Sequence, residues 1–405
     1  MKVIHVGHVP LPAKHSLGDH VSQYASHPGR WVLNLAKAQM AHGNIEPEIV
    51  IKVPGATSEW KTDIEGVPCH FVPVPNILRG KTAFFLDQRL LASAIKKLSP
   101  DIVHAHGTEE ANALAALRTG LPRVLTVQGC FFIINRLWPP RFYSRQWIVE
   151  RLERHAIPRF RHVITKSEYI RREIAKTFPQ VTTHLIPNTY DPALEEIFDD
   201  APREGTLAFV GSIDPRKGVD IIVEAVRILE RKPTAPRVRL HLFGNSPTVS
   251  PGSWEGQQIK QLQDILGERL ILHGKIPQLE MARIVATCQA LIAPSREEMF
   301  GNQIIEALLV GTHVIVTDGT AMAENVKKFG NGIIIPQDAP ASLASALQAK
   351  FESAEDRTRK NEGAQITESV AARDAIIASM SPKIIARAHE QLYRKAVEEY
   401  TVIKK

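Results

Sequence analysis

Short runs of β-branched and aliphatic residues alternate with amphipathic stretches of helical period along most of the chain, and the alternation runs through twice. Successive parallel strands need a crossover of a dozen or more residues, usually a helix. The pattern therefore selects a parallel α/β architecture over a sandwich, a hairpin barrel or a helical bundle. Lys2–Gly7 reads as a first strand, followed by a helix over Arg30–His42 with Val32, Leu35, Ala36 and Met40 on one face and Gly43 as its C-cap. Further strands are expected at Glu48–Val53, Asp101–Ala105, Val124–Val127, His162–Thr165 and Thr183–Ile186, and helices at Ala83–Lys97, Glu109–Arg118, Arg145–Ala156 and Glu168–Lys176. The pattern restarts at Leu207–Gly211. Strands follow at Arg239–Phe243, Leu270–His273, Ala290–Ala293, Val314–Thr317 and Gly332–Ile335, separated by helices at Val219–Leu229, Gln257–Leu266, Leu279–Ala286, Gln303–Leu309 and Ala341–Phe351. Pro, Asp and Glu interrupt the periodicity over Pro187–Glu204.

The 405 residues suffice for about two domains. The expected division is a first α/β domain over 1–190, a second over 191–375, and a charged terminal helix over 376–405 that returns to the first. In such sheets ligands bind beyond the carboxyl ends of the strands, and two facing sheets make a cleft suited to a small molecule.

A hydrophobic fraction of 44%, a charged fraction of 23% and a mean hydropathy of −0.12 exclude a disordered or fibrous chain. No stretch approaches the roughly 20 apolar residues of a membrane helix, and the first apolar run is too short for a signal peptide. Cys69, Cys130 and Cys288 lie far apart and form no CxxC pair, which fits a reducing cytosol. The net charge of +7 favours anionic partners: a nucleotide or, peripherally, the inner face of an anionic membrane. No nucleic-acid-binding motif is present.

Two strand ends carry chemistry. After an apolar strand, Glu298-Met-Phe-Gly-Asn302 forms a turn in which Gly301 permits a sharp bend before a helix containing Glu306. Main-chain N–H groups at a helix start lack intrahelical partners and attract anions. A carboxylate at 306 can accept paired hydrogen bonds from vicinal hydroxyls such as those of a ribose, and Glu298 points from the strand end. The other strand ends in Gly211-Ser212, and Arg216 and Lys217 precede the next helix. Cations there oppose the helix dipole at about 0.3–1 kcal/mol each, a cost that a bound phosphate would remove. The empty protein is accordingly expected to lose little thermal stability if Lys217 is removed. In the first half, Gly18, Gly29, His106 and Gln128 sit at loop or strand-end positions open to a ligand, with His104 the alternative core histidine. No Asp-x-Asp follows an apolar strand and no spaced His/Cys cluster is apparent, so no metal is expected.

Glu298 through Glu306 fits the E-x7-E motif with its Phe-Gly of the retaining GT-B glycosyltransferases of family GT4, the glycosyl transferases group 1, and the chain resembles them along nearly its whole length. Val210-Gly211 to Lys217-Gly218, Pro294-Ser295, Gly311–Ile315, Asn331-Gly332, Ile186–Asn188 and Ser381-Pro382 fall in family order. The resemblance implies the GT-B fold, α/β with two Rossmann-like domains facing across a cleft. It implies a nucleotide-diphosphate sugar held by the second domain, a glycan or glycolipid acceptor on the first, and retention without a metal or other cofactor. By motif, Glu306 would bind the donor ribose, Glu298 the transferred sugar, Lys217 with Arg216 and Ser212 the diphosphate, and the amides of Phe300, Gly301 and Asn302 the sugar or phosphate. Gly18, Gly29, His106 and Gln128 would contact acceptor or sugar. The implied role is polysaccharide, lipopolysaccharide or glycolipid assembly; a non-catalytic nucleotide-sugar binder and a sugar-nucleotide epimerase are the other readings. The chain departs from the family at Ser212, where many members carry Arg, at Gln128, where many carry His, and at Thr320-Ala321, where Gly-Gly is usual.

Overall fold

A computed structural model describes residues 1–10, 29–198, 203–232, 237–244, 250, 252–355 and 362–404. The chain divides into two compact units, one of Met1–Thr189 with Met380–Lys405 and one of Tyr190–Ser379.

Unit 1 runs β1 (Lys2–Val6), α1 (Trp31–His42), β2 (Glu46–Pro54), β3 (Trp60–Ile64), β4 (Val67–Val74), α2 (Phe85–Lys97), β5 (Ile102–His106), α3 (Asn112–Thr119), β6 (Arg123–Thr126), α4 (Phe131–Leu137), α5 (Arg145–Ala156), β7 (His162–Thr165), α6 (Glu168–Thr177) and β8 (Thr182–Leu185). Its eight strands lie in the order β3-β4-β2-β1-β5-β6-β7-β8. All neighbours are parallel except the β3–β4 hairpin, which closes one edge. The alternation rule misses that hairpin because its strands are joined by a two-residue turn at Glu65-Gly66 instead of a helix. Gly43 ends α1 in the left-handed conformation, φ 87°, as its position after the last apolar residue predicts.

Unit 2 runs β9 (Arg203–Gly211), α7 (Val219–Glu230), β10 (Arg239–Gly244), α8 (Trp254–Leu266), β11 (Leu270–Gly274), α9 (Gln278–Ala286), β12 (Cys288–Ala293), α10 (Asn302–Leu309), β13 (His313–Thr317), α11 (Ala321–Phe329), β14 (Gly332–Ile335), α12 (Pro340–Glu355) and α13 (Glu362–Met380). Its six strands are all parallel, in the order β11-β10-β9-β12-β13-β14. The core is aliphatic, with Leu207 and Phe209 of β9, Ile292 of β12 and Ile315 of β13 packed under Ile222, Val226 and Leu229 of α7. Chain order reverses between β9 and β12, the place where the strand ends of an open sheet leave room for a ligand. Helices α4, α11 and α13 are absent from the expectation from sequence. For α11, a run of mixed polarity hides a helix whose buried face is Ala321, Met322, Val326 and Phe329.

The last helix, α14 (Pro382–Lys404), belongs to unit 1. Ile385, Leu392, Tyr393 and Ala396 share a core with Leu35 of α1, Val124 of β6 and Ile164 of β7. Tyr393 is fully buried, and its hydroxyl bonds to Gln39 and His104. Removing that hydroxyl strands two buried polar groups, a loss of about 1–3 kcal/mol, whereas truncation of the ring costs about 3–5 kcal/mol. Tyr393→Phe is therefore expected to lower the urea midpoint of unit 1 measurably and Tyr393→Ala to lower it further. Equal midpoints for wild type and both variants would remove α14 from the core.

Candidate functional site

In unit 2 the two chemistry-bearing loops are tied together. β9 ends at Gly211, and Asp214 turns the chain by accepting the Lys217 main-chain N–H at 3.2 Å, with Pro215 opening a short 3-10 turn. Gly218 then adopts φ 72°, and a Cβ on it would lie 2.1 Å from the Pro294 carbonyl oxygen. Only glycine fits, so the start of α7 presses on the end of β12. The Arg296 amide donates to the Arg216 carbonyl at 2.8 Å, and the Arg296 guanidinium reaches Asp220 of α7 at 2.7 Å.

This docking brings Lys217 to Glu298. The lysine Nζ donates to Glu298 Oε2, with the side chains only 11% and 14% exposed, and the Arg216 guanidinium lies 3.9 Å from the same oxygen. The Met299 amide donates to Glu298 Oε1 at 3.1 Å. The expectation of an unfavourably placed lysine is thereby corrected: the carboxylate across the loop already neutralises it. Arg216 also donates to the Glu297 carbonyl at 3.0 Å, and Ser212 Oγ donates to Asp214.

Beyond Glu298 the chain turns through Phe300 and Gly301 into α10, whose first residue is Asn302. Gly301 has φ 79°, and a Cβ there would meet Met322 Cγ at 2.6 Å. The N-cap of α10, Gly301, has no side chain with which to cap the helix. Helix α11 fixes the turn: the Ala321 amide donates to the Glu298 carbonyl at 3.0 Å and Asn325 Nδ2 to the Phe300 carbonyl at 2.7 Å. The Thr320-Ala321 departure from Gly-Gly thus contacts the Glu298 backbone directly. Glu306, half-buried on α10, accepts from Gln278 Nε2 at 2.7 Å. So Lys217, Arg216 and Glu298 meet, Ser212 and the Phe300–Asn302 turn flank them in sequence, and Glu306 has a partner of its own.

In unit 1, Gly18 lies outside the described residues. Gly29 is buried, with the Trp31 ring over its Cα. His106 and Gln128, at the ends of β5 and β6, belong to one hydrogen-bond chain. Lysine can only donate, which fixes the direction: Lys166 Nζ donates to Gln128 Oε1 at 2.8 Å. The Gln128 amide then faces His106 Nδ1 at 3.5 Å, and His106 Nε2–H donates to His5 Nδ1 at 2.9 Å. His5 Nε2–H donates to Gln39 Oε1 at 2.8 Å, and Gln39 Nε2 donates to the Tyr393 hydroxyl at 3.1 Å. Tyr393 donates to His104 Nδ1 at 2.6 Å, and His104 Nε2–H ends the chain on Thr126 Oγ1 at 2.6 Å. His5, His104 and His106 thus form a cluster, with ligand nitrogens within 4.8 Å of one another, which sequence spacing does not reveal. β1 supplies one member and β5 the other two, and the β1–β5 register sets His5 beside His104. The ring nitrogens are committed to this chain, so the cluster reads as a hydrogen-bond relay. Lys166, His5, Gln39, Tyr393 and Thr126 are the members that sequence reasoning missed.

Two carboxyls, the half-buried Glu109 and the buried Glu153, hold the turn that carries Gln128. Glu109 accepts from the Gly129 amide at 3.1 Å, and burial raises its pKa. Glu153 accepts from the Thr108 hydroxyl at 2.6 Å and the Phe132 amide at 3.0 Å, and burial pushes it up to about 8. Burial drives the histidines the other way, His5 and His389 to about 4 and His104 and His106 well below their ordinary value. A base whose pKa falls on folding gives stability that is complete above the unfolded value of about 6.5 and is lost progressively as pH falls below it. Glu153 acts oppositely, its contribution fading as pH rises from about 4.5 through 8, but the histidines outnumber it. Unit 1, which carries Trp31, Trp60, Trp138 and Trp147, is expected to melt earlier at pH 5 than at pH 7 by tryptophan fluorescence, with His5→Gln flattening the dependence. A melting temperature independent of pH over that span would contradict the buried neutral histidines.

Residues 28–194 match the family model described as Glycosyltransferase Family 4, and residues 204–352 match the one described as Glycosyl transferases group 1. A D-inositol 3-phosphate glycosyltransferase of Jonesia denitrificans is 24% identical over 371 residues, covering 83% of this chain and 85% of the relative. An alpha-maltose-1-phosphate synthase of Mycolicibacterium smegmatis is 26% identical over 323 residues, covering 73% and 79%. Among solved structures, sucrose-phosphate synthase from Thermosynechococcus elongatus superimposes with a TM-score of 0.76 at 19% identity, covering 97% of this chain and 98% of that one. Anabaena Alr3699/HepE in complex with UDP-glucose gives 0.67 at 17% identity, covering 97% and 99%.

Proposed function

The chain belongs to the GT4-type glycosyltransferases of the GT-B fold, and from that premise we propose a retaining enzyme that moves a sugar from a nucleotide-diphosphate sugar to a glycan or glycolipid acceptor without a metal. The observation that carries this reading is the meeting of Lys217 and Arg216 with Glu298 beside the start of α10. When the bond from the sugar to the diphosphate breaks, negative charge gathers on the departing phosphate oxygens. Lys217, Arg216 and the N–H groups at Phe300–Asn302 form a fixed set of donors for that charge, and preorganised donors of this kind supply much of an enzyme's rate enhancement. Ser212 adds a hydroxyl. Glu298 serves the hydroxyls of the transferred sugar, and Glu306 accepts from the donor ribose. UDP-sugars are the first donors to try, because relatives of the same fold are solved with UDP and UDP-glucose.

On the acceptor side we assign unit 1. Gln128 replaces a family histidine. Held by Lys166, it bonds a hydroxyl but accepts no proton. His106 stands behind it and Gly29 at the start of α1.

The expected behaviour is release of nucleoside diphosphate from a UDP-sugar in the presence of an acceptor extract. Lys217→Met is expected to lower kcat/KM about 30- to 1000-fold, the loss of about 2–4 kcal/mol of charge stabilisation. The same variant is expected to melt a few degrees lower, because Glu298 loses its partner in a largely buried place, and the double variant with Glu298→Gln regains part of that loss. Nucleotide binding with no turnover under any acceptor would make the chain a non-catalytic binder. Donor isomerised without acceptor would make it an epimerase.

A further inference from the structure

Unit 1 carries a second feature far more polar in charge than the rest of the molecule. Between positions 136 and 161 the sequence holds seven arginines against two glutamates, in a chain whose whole net charge is +7. One of those glutamates is the buried Glu153 and the other, Glu150, is paired with Arg154 at 2.8 Å. Helix α5 from this segment, with α2 and α3, walls a groove of about 480 Å³. It is lined by apolar Leu114, Leu117 and Leu152 together with Arg118, Arg151 and Arg159. None of these three guanidiniums has a carboxylate partner among the described residues. Arg118 bonds to the Gln88 amide oxygen at 2.8 Å, Arg159 to the His155 carbonyl at 2.5 Å, and Arg151 lies over the Trp147 ring at 4.9 Å. The nearby acids are spoken for: Asp87 pairs with Arg79 at 2.7 Å, and Glu110 pairs with Lys52, Arg79 and Arg145.

Large apolar side chains stand out on both lips. On one, Ile77 and Leu78 precede α2, whose Phe85, Leu86 and Leu90 face outward. On the other, Phe142 and Tyr143 are 72% and 69% exposed and pack edge-on at 4.5 Å, beside Trp147. Exposed aromatics next to unpaired guanidiniums match the headgroup layer of an anionic bilayer, where rings enter the interface and arginines meet phosphate. Among the described residues, Leu78, Ala83 and Tyr143 on these lips are non-glycine residues with positive φ, and such strained conformations gather at functional places.

We propose that this α2–α3–α5 face docks on an anionic phospholipid bilayer, Phe142 and Tyr143 entering the interface and Arg118, Arg151 and Arg159 binding acidic headgroups. The proposal deepens the acceptor side of the function above, placing the enzyme at the surface where a glycolipid acceptor would reside. The test is co-sedimentation with vesicles of phosphatidylcholine alone and of phosphatidylcholine with phosphatidylglycerol in equal parts, with UDP binding by calorimetry on the same samples. Wild type is expected to sediment with the mixed vesicles only. The triple variant Arg118→Gln/Arg151→Gln/Arg159→Gln is expected to bind about 100-fold more weakly, roughly fivefold per charge. Phe142→Ser/Tyr143→Ser is expected to lose binding while keeping the UDP heat. Equal sedimentation with both vesicle types, no loss in the triple variant, or release by free inorganic phosphate at constant ionic strength would overturn the docking. So would a vesicle-free dimer that Phe142→Ser/Tyr143→Ser dissolves. UDP binding without vesicle binding sinks the docking alone, and vesicle binding without binding of UDP, GDP or ADP sinks the glycosyl-transfer reading alone.

Discussion

The arrangement of unit 2 depends on one close approach, the backbone of Gly218 against the Pro294 carbonyl, where a single added carbon would sit 2.1 Å from the oxygen. Parallel pairing of β9 with β12 puts their carboxyl ends side by side, and this contact brings the loops that follow them together. The Arg296 amide on the Arg216 carbonyl and the Arg296–Asp220 pair then lock the junction. Lys217 reaches Glu298 as a consequence of backbone geometry, and its charge is already compensated before any ligand arrives. An anion that displaces the carboxylate from the lysine exchanges one partner for another, so the desolvation of that cation is largely met in advance.

Unit 1 solves a different problem with the same architecture. Its central strands carry His5, His104 and His106 where aliphatic residues are usual, and burying three imidazoles is costly unless each is hydrogen-bonded. The directed chain from Lys166 to Thr126 meets that requirement, and it passes through Tyr393, which only the returning C-terminal helix supplies. The same chain orients Gln128, so the integrity of the core and the orientation of a strand-end side chain are set by one network. Networks of this type hold a unique conformation when every member is satisfied.

Most of the fold was legible because a period-3.6 helix between two short aliphatic runs has few alternatives. The β3–β4 hairpin broke that rhythm, and α11 lacked a clean apolar stripe in sequence. At the site, Lys217, Glu298 and the Phe300–Asn302 turn could be picked out because each stands at a strand end or helix start. Their pairing could not, since it requires knowing that β9 and β12 are neighbours, a fact of topology. Lys166 and His5 were hidden for the same reason: nothing local marks them, and their partners come from strands far away in the chain. The arginine-rich segment from 136 to 161 went unremarked in the sequence, where lysine and arginine read as spread along the chain, and only the fold shows which of its arginines lack acids.

The central claim is that Lys217, held by Glu298, is the cation that receives a diphosphate. Calorimetric titration of UDP into wild type, Lys217→Met, Glu298→Gln and the double variant tests it most directly. The account predicts at least a tenfold loss of affinity on removing the lysine and unchanged or tighter binding on neutralising the glutamate, with the two effects non-additive. Equal UDP affinity in wild type and Lys217→Met would contradict it.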